Sequence, residues 1–345
     1  MSEIISNISV LGSGAWGTAL AQLISKNQSV LMWVKEKSVK NDINQNHLNR
    51  KYLPGIKLSK KILGTNNLED LKNSEIIFLT VPVQYMSSIL KKIKKIVKSN
   101  VIFVCCSKGI EMNTLNLPSQ IVSSNFPKHN IAALSGPNFA EEISKNLPAA
   151  TLIASNKIAT SKKVASIVQT KLFRPYISDD IIGSQIAGAT KNVYAIACGI
   201  VEGKKFGKNA VASIISRSFA EISRINKSMN AKTETLSGLS GMGDLVLTCS
   251  SKKSRNFKLG LDLSSGMSLS SIIKKNSSII YIEVSFETIL DRISNFSSRG
   301  FVKTSDQTIK QAFNEREVIY RKFADYVVPN NTDLESCLKR ILRII

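Results

Sequence analysis

At 345 residues, with a formal net charge of +22 and 43% hydrophobic residues, the chain is long enough for two cores and too apolar for a disordered or fibrous protein. It has no run of about twenty uninterrupted apolar residues, and its start, MSEIISNISVLG, lacks a basic leader before an apolar stretch; no membrane span is expected, and the chain reads as cytoplasmic. The five cysteines, Cys105, Cys106, Cys198, Cys249 and Cys337, form no Cys-x-x-Cys and no even framework, so neither a disulfide scaffold nor a metal site is expected.

In chain order, short apolar runs at 8–12, 29–34, 75–82, 101–106, 130–136 and 150–155 read as strands, and helical periodicity separates them. Buried strands alternating with helices predict a parallel sheet covered on both faces. Lys91, Lys92, Lys94, Lys95 and Lys98 interleave with Ile89, Leu90, Ile93, Ile96 and Val97 at helical spacing, which predicts an amphipathic helix with a solvated basic face. The remaining lysines are scattered along the chain, so the charge implies no specific nucleic-acid partner. After Ile181 the pattern changes to long helical runs such as 210–225. An α/β domain over 1–180 and a helical domain over 181–345 are expected.

The stretch VLGSGAWGTALA at 10–21 places Gly12-x-Gly14-x-x-Gly17 directly after the first strand and at the start of a helix. In that context Gly12 permits the tight turn, Gly14 lets the backbone approach a pyrophosphate, and Gly17 lets the helix pack on the strand. After the second strand an acid would favour a ribose 2′-hydroxyl and a cation a 2′-phosphate. The sequence offers both, Lys35 and Glu36, side by side.

Lys191 is the single formal charge between Ile181 and Val201. Burying an unpaired ammonium costs several kcal/mol or drives it neutral, so this lysine either reaches water or is held for a purpose. Three other stretches carry polar groups in similar surroundings. CCSKGIE puts Lys108 just past a strand end, where ligands of open parallel sheets bind. SGPN ends another strand in Gly136, Pro137 and Asn138. SGLSGMGDLVLTCSSKKSRN surrounds Asp244 with glycines and aliphatics, sets Thr248 four residues on along the same helical face, and closes on Arg255 and Asn256. Together they suit an anionic substrate beside a nicotinamide, with Lys191 trading a proton with a developing alkoxide. A Schiff-base lysine is the chemical rival, and it makes no use of the dinucleotide turn.

GSGAWGTALA, SKG, SGPNFAEEI, GATKNVYAIACGI, FGKNA, GMGDLVLTC and SRN, with YLPGI at 52–56, together resemble the bacterial NAD(P)-dependent glycerol-3-phosphate dehydrogenase family in order and spacing, over about residues 8–260. The resemblance implies an N-terminal Rossmann-like domain with a parallel sheet, an all-α C-terminal domain, and a homodimer. It implies NADP(H) or NAD(H) as cofactor, and dihydroxyacetone phosphate and sn-glycerol 3-phosphate as the interconverted pair, feeding glycerophospholipid synthesis.

Residue by residue, it implies that Lys191 is the acid/base, that Asp244 and Thr248 order it, and that Lys108 contacts substrate beside the nicotinamide. It places Gly136, Asn138, Ser254, Arg255 and Asn256 in the substrate pocket, with Arg255 on the phosphate and near the cofactor. Gly12, Ser13, Gly14, Ala15, Trp16, Gly17, Lys35 and Ala140 match cofactor positions. The sequence departs from the family at Asn138, where relatives usually carry Ser or Thr, and at Lys204 and Lys205. In IIYIEVSF at 279–286, Glu283 aligns with a cofactor-contacting acid only if extra residues are allowed.

Overall fold

Strand β1 (Ile8–Leu11), whose one polar side chain, Ser9, bonds to the Ser74 hydroxyl, is wholly buried on both faces, as a central strand of a parallel sheet must be. In the computed structural model, which describes residues 6–269, 271–272, 280–292 and 307–342, it lies inside an eight-stranded sheet. The others are β2 (Val30–Trp33), β3 (Ile62–Thr65), β4 (Ile76–Leu79), β5 (Ile102–Cys105), β6 (Asn130–Ser135), β7 (Ala149–Ala154) and β8 (Phe173–Ser178). The order is β3-β2-β1-β4-β5-β6-β7-β8, with every pairing parallel except β6 with β7. The order reverses at β1 and β4, which opens a crevice at their carboxyl ends.

The helices of this part are α1 (Ala15–Ile24), α2 (Lys37–Asn41), α3 (Val83–Ile93), α4 (Pro118–Asn125), α5 (Ala140–Ser144) and α6 (Ile158–Val168). Because side chains alternate along a strand, the sheet feeds two cores. Val10, Met32, Phe78, Val104 and Leu134 face α1 and α6, where Leu20, Leu23, Val164 and Val168 meet them. Leu11, Ile77, Leu79 and Phe103 face α3 and α4, where Met86, Leu90, Ile121 and Val122 meet them. Each such side chain contributes about 1.5–3 kcal/mol on burial. The five lysines at 91–98 are exposed along the outer side of α3 and the turns that follow it.

Beyond the sheet come α7 (Gly183–Gly203), α8 (Lys208–Ser228), α9 (Thr233–Ser237), α10 (Asp244–Ser250) and α11 (Arg255–Ser264). Their core joins Ile186, Ala195, Cys198, Val211, Ile222, Leu245, Cys249 and Phe257. Asp180 fastens the start of α7, its two carboxylate oxygens accepting from the N–H of Gly183 and of Lys232, both at 2.8 Å.

The chain divides into two compact units, Met1–Leu261 and Asp262–Ile345. The second contains β9 (Ile280–Glu283), α12 (Phe286–Arg292), α13 (Ile309–Phe323), β10 (Tyr326–Pro329) and α14 (Leu334–Leu342). β9 and β10 pair in parallel, an element absent from the helical reading of the C-terminal half. No helix of the described residues is long and apolar enough to cross a membrane. All five cysteines are free and buried, and no group of three His, Cys, Asp or Glu among the described residues is placed to hold a metal.

Candidate active site

At the end of β1 the chain turns at Gly12, whose φ of +124° suits glycine. A Cβ on Gly17 would stand 2.2 Å from the Gly12 carbonyl oxygen, so only glycine lets α1 start this close to the strand. A Cβ on Gly14, the N-cap, would meet nothing within 4 Å, and no side chain caps the helix. The first-turn N–H groups, those of Ala15, Trp16 and Gly17, therefore offer an open anion cradle. The loop is held from behind. Asn49 Nδ2 donates to Ser13 O at 2.9 Å and to Thr18 Oγ1 at 2.7 Å, while the Thr80 hydroxyl lies 3.0 Å from Gly12 O. Trp16 Nε1 donates to Cys106 O at 3.1 Å, tying the turn to the end of β5. Ala140, at the start of α5, packs on the same core as Ala15 and Trp16. This cradle fits a dinucleotide pyrophosphate.

Past β2 the two adjacent charges differ in their commitments. Glu36 accepts from Lys51 Nζ at 2.8 Å and from the Tyr52 hydroxyl, and these bonds hold its carboxyl below the usual range. Lys35 is exposed. The acid suited to a ribose hydroxyl is thus engaged by side chains of the YLPGI segment, while the adjacent cation faces solvent.

Lys108, past β5, and Lys191, on α7, converge on one carboxylate. Asp244, 1% exposed at the start of α10, accepts from Lys191 Nζ through Oδ1 at 2.7 Å and from Lys108 Nζ through Oδ2 at 2.6 Å. Lys108 Nζ also donates to Gly136 O at 3.1 Å, which joins the end of β6 to the cluster. Lys191 Nζ donates to Thr248 Oγ1 at 2.7 Å, and that hydroxyl donates in turn to Asp244 O. An ammonium has three N–H donors. Two of those on Lys191 are fixed, and the third has no protein partner among the described residues. Desolvation, reinforced by the Lys108 charge and opposed by Asp244, brings the Lys191 pKa down to about 8. With Lys108 and Lys191 both charged, one carboxylate faces two ammoniums, so the site carries an uncompensated positive charge and suits an anion.

α11 brings the last group of candidate residues. It crosses α7 at the closest approach backbones allow: a Cβ on Gly199 would sit 2.0 Å from Phe257 O, and one on Gly260 would sit 2.1 Å from Ile196 O. Ser254, 5% exposed, accepts from Phe257 N at 3.3 Å and so starts the helix, at whose head Asn256 is half-buried and the Arg255 guanidinium is exposed. Glu283 belongs to the second unit, at the end of β9, where its carboxylate pairs with Arg321 on α13.

Thus Lys108, Gly136, Lys191, Asp244 and Thr248 are joined by hydrogen bonds, and the glycine turn reaches β5 through Trp16. Among the described residues, Lys35, Arg255 and Asn256 make no hydrogen bond to that cluster. Sequence reasoning passed over Asn49 and Thr80, which hold the glycine loop, and Thr151, whose hydroxyl donates to Ser135 O at 3.1 Å and holds the end of β6. Thr80, directly after a buried strand in FLTVP, carried a usable signal; Asn49, remote in sequence, carried none.

The NAD-dependent glycerol-3-phosphate dehydrogenase N-terminus family model matches residues 7–161, and the C-terminus model of the same family matches 180–288. The shikimate kinase model matches 263–345. Glycerol-3-phosphate dehydrogenase [NAD(P)+] of Parvibaculum lavamentivorans is 41% identical over 280 residues, 81% of this chain and 84% of that protein. The protein of the same name from Zymomonas mobilis is 42% identical over 289 residues, 84% of each chain. The crystal structure of glycerol-3-phosphate dehydrogenase from Coxiella burnetii superposes with a TM-score of 0.75 at 28% identity, covering 97% of this chain and 98% of that one.

Proposed function

Since this chain belongs to the NAD-dependent glycerol-3-phosphate dehydrogenase family, we propose that Lys191, Asp244, Thr248 and Lys108 are the working parts of its catalytic centre. The reaction is the reversible, NAD(P)H-dependent reduction of dihydroxyacetone phosphate to glycerol 3-phosphate. The observation that carries the assignment of roles is the buried Lys191 ammonium, with two donors committed and one free.

The chemistry that a dihydronicotinamide held by the glycine turn would supply is a hydride for the carbonyl carbon. As the C=O bond opens, the free N–H of Lys191 gives its proton to the oxygen, so the alkoxide leaves as a hydroxyl and the lysine is left a neutral amine. In the reverse direction that amine takes the proton back. Asp244 and Thr248 keep Nζ aimed, and with a pKa of about 8 the group is able to run in either sense near neutral pH. The Lys108 ammonium stands beside the oxygen and favours negative charge there. A loop and a helix start bearing Gly136, Ser254, Arg255 and Asn256 line the pocket, with Arg255 gripping the phosphate through its fork of donors. Ser13, Ala15, Trp16, the three glycines of the turn, Lys35 and Ala140 hold the dinucleotide. The free Lys35 beside a Glu36 carboxylate already paired with Lys51 favours NADPH over NADH. Residues 1–180 thus hold the cofactor and lend Lys108 and Gly136 to the substrate, and the helical part that follows supplies the rest of the substrate site. Family membership alone supports a homodimer, a cytoplasmic setting and supply of glycerophospholipid synthesis.

The test is cofactor oxidation, followed at the nicotinamide absorbance, with dihydroxyacetone phosphate and either NADPH or NADH, beside Lys191→Ala. Turnover by the wild type, its loss in a variant that still binds cofactor, and a lower KM for NADPH than for NADH are expected. Equal turnover by the variant would overturn the lysine's role.

A further inference from the structure

Two polar atoms in the β6–α5 connection are buried without a partner: Ser135 Oγ and Asn138 Oδ1. Ser135 is 3% exposed, and a hydroxyl in that setting ordinarily finds a bond. The orientation of the Asn138 amide follows from its neighbour. Thr151 Oγ1 has one hydrogen and donates it to Ser135 O at 3.1 Å, so what it shares with Asn138, 2.9 Å away, is a lone pair. The Asn138 nitrogen therefore faces Thr151, and its oxygen is the group left open. Between the two residues, Gly136 gives its carbonyl to Lys108. On the far side, a Cβ on Gly188 would lie 3.5 Å from Ser135 Oγ and 3.3 Å from the Lys108 stem, three residues before Lys191 on α7. The open pair thus lies beside the catalytic cluster, and the connection runs on to Ala140, which packs with Trp16 and Ala15 of the glycine turn.

The missing ligand group must donate to one atom, since an amide oxygen only accepts, and accept from or donate to the other. A phosphate or carboxylate cannot donate to Asn138 Oδ1. A neutral group that carries a donor and an acceptor together can serve both. Resting on the dehydrogenase reading, we propose that Ser135 and Asn138 read the carboxamide of the nicotinamide ring. Ser135 Oγ donates to the amide oxygen and Asn138 Oδ1 accepts from the amide nitrogen, which sets the ring's rotation and so the face that carries the hydride.

A substrate hydroxyl has the same donor–acceptor chemistry, and the arms of the experiment separate the two. Calorimetric dissociation constants are measured for NADPH and for its 3-acetylpyridine analogue, which keeps the carbonyl and replaces the NH2 by a methyl group. The wild type is expected to bind the analogue roughly tenfold more weakly, the scale of one hydrogen bond. Asn138→Ala should bind both ligands alike, at the weaker level. Ser135→Ala should weaken both by a similar factor and preserve their ratio, because the carbonyl is common to both. Should Asn138→Ala fail to fold, Thr151→Val reports on the same contact, since it releases the amide to rotate and should shrink the ratio. A ratio that survives both Asn138→Ala and Thr151→Val overturns the proposal. Unchanged NADPH binding with a raised KM for dihydroxyacetone phosphate overturns it in favour of the substrate hydroxyl. A wild-type chain that binds no NADPH overturns the dehydrogenase reading itself.

Discussion

The two units of the chain use their apolar residues in opposite ways. In Met1–Leu261 each face of the sheet and the α7–α10 bundle has its own continuous core, and Lys108, Gly136, Lys191 and Thr248 are joined in one network around Asp244. In Asp262–Ile345 the buried apolar side chains among the described residues are Ile272, Ala312, Val328 and Cys337, whereas Ile282, Val318, Ile319, Tyr320, Tyr326 and Val327 are exposed. A unit of that size has little interior to spend on chemistry. The comparisons divide along a similar line, since the dehydrogenase models together end at 288 and the shikimate kinase model covers 263–345. Yet phosphoryl transfer needs a glycine-rich clamp on the phosphates, and 262–345 holds just two glycines, Gly266 and Gly300, with no Gly-x4-Gly-Lys-Ser/Thr anywhere in the sequence. One unit gathers a hydrogen-bonded cluster of charged side chains; the other has a family signature without the loop its chemistry requires.

The sharpest way to break that contrast is Lys191→Met. Loss of a general acid predicts a fall in kcat of about 10²–10⁴-fold, with cofactor affinity retained; a fall of less than tenfold would show that the first unit does not depend on its buried lysine.

Smaller and more diagnostic is the pH profile. If Lys191 has the proposed role, reduction needs it charged and should decline above about pH 8, while glycerol 3-phosphate oxidation needs it neutral and should rise through the same range. The Lys108 charge lowers that pKa and the Asp244 charge raises it. Lys108→Met should therefore move the reductive limb to higher pH, and Asp244→Asn should move it lower. Limbs that stay in place in both variants would mean another group titrates.

The smallest effects belong to the second unit. Glu283→Gln should leave the NADPH dissociation constant unchanged, because that carboxylate is engaged by Arg321; a severalfold rise would show that it also reaches the cofactor, as its alignment suggests. ATP consumption with shikimate should not exceed the background without enzyme.

The sequence made some of this plain and hid the rest for physical reasons. The strands at 8–12, 29–34, 75–82, 101–106, 130–136 and 150–155 were legible because strands buried on both faces are continuous apolar runs. β8 was not, since FRPYIS at the sheet edge carries arginine, proline and exposed positions. β3 is four residues with a glycine inside. The reversal of β7 against β6 depends on pairing, and periodicity has no sense of direction. In the site, Lys191 stood out because a lone charge in an apolar run conflicts with its surroundings. Asn138 stood out in SGPN, but Ser135 did not, since what marks it is a bond it fails to make, and the same open bond on Asn138 is invisible until Thr151 is placed across from it.

The single carboxylate shared between two ammoniums has one more consequence. Near pH 8 about half of the free enzyme holds Lys191 as the amine. A substrate phosphate entering this positively biased pocket brings negative charge, which favours the ammonium and draws a proton in from solvent. On the role proposed for Lys191 the substrate thereby arms its own acid, and its heat of binding at that pH should change with the ionisation enthalpy of the buffer.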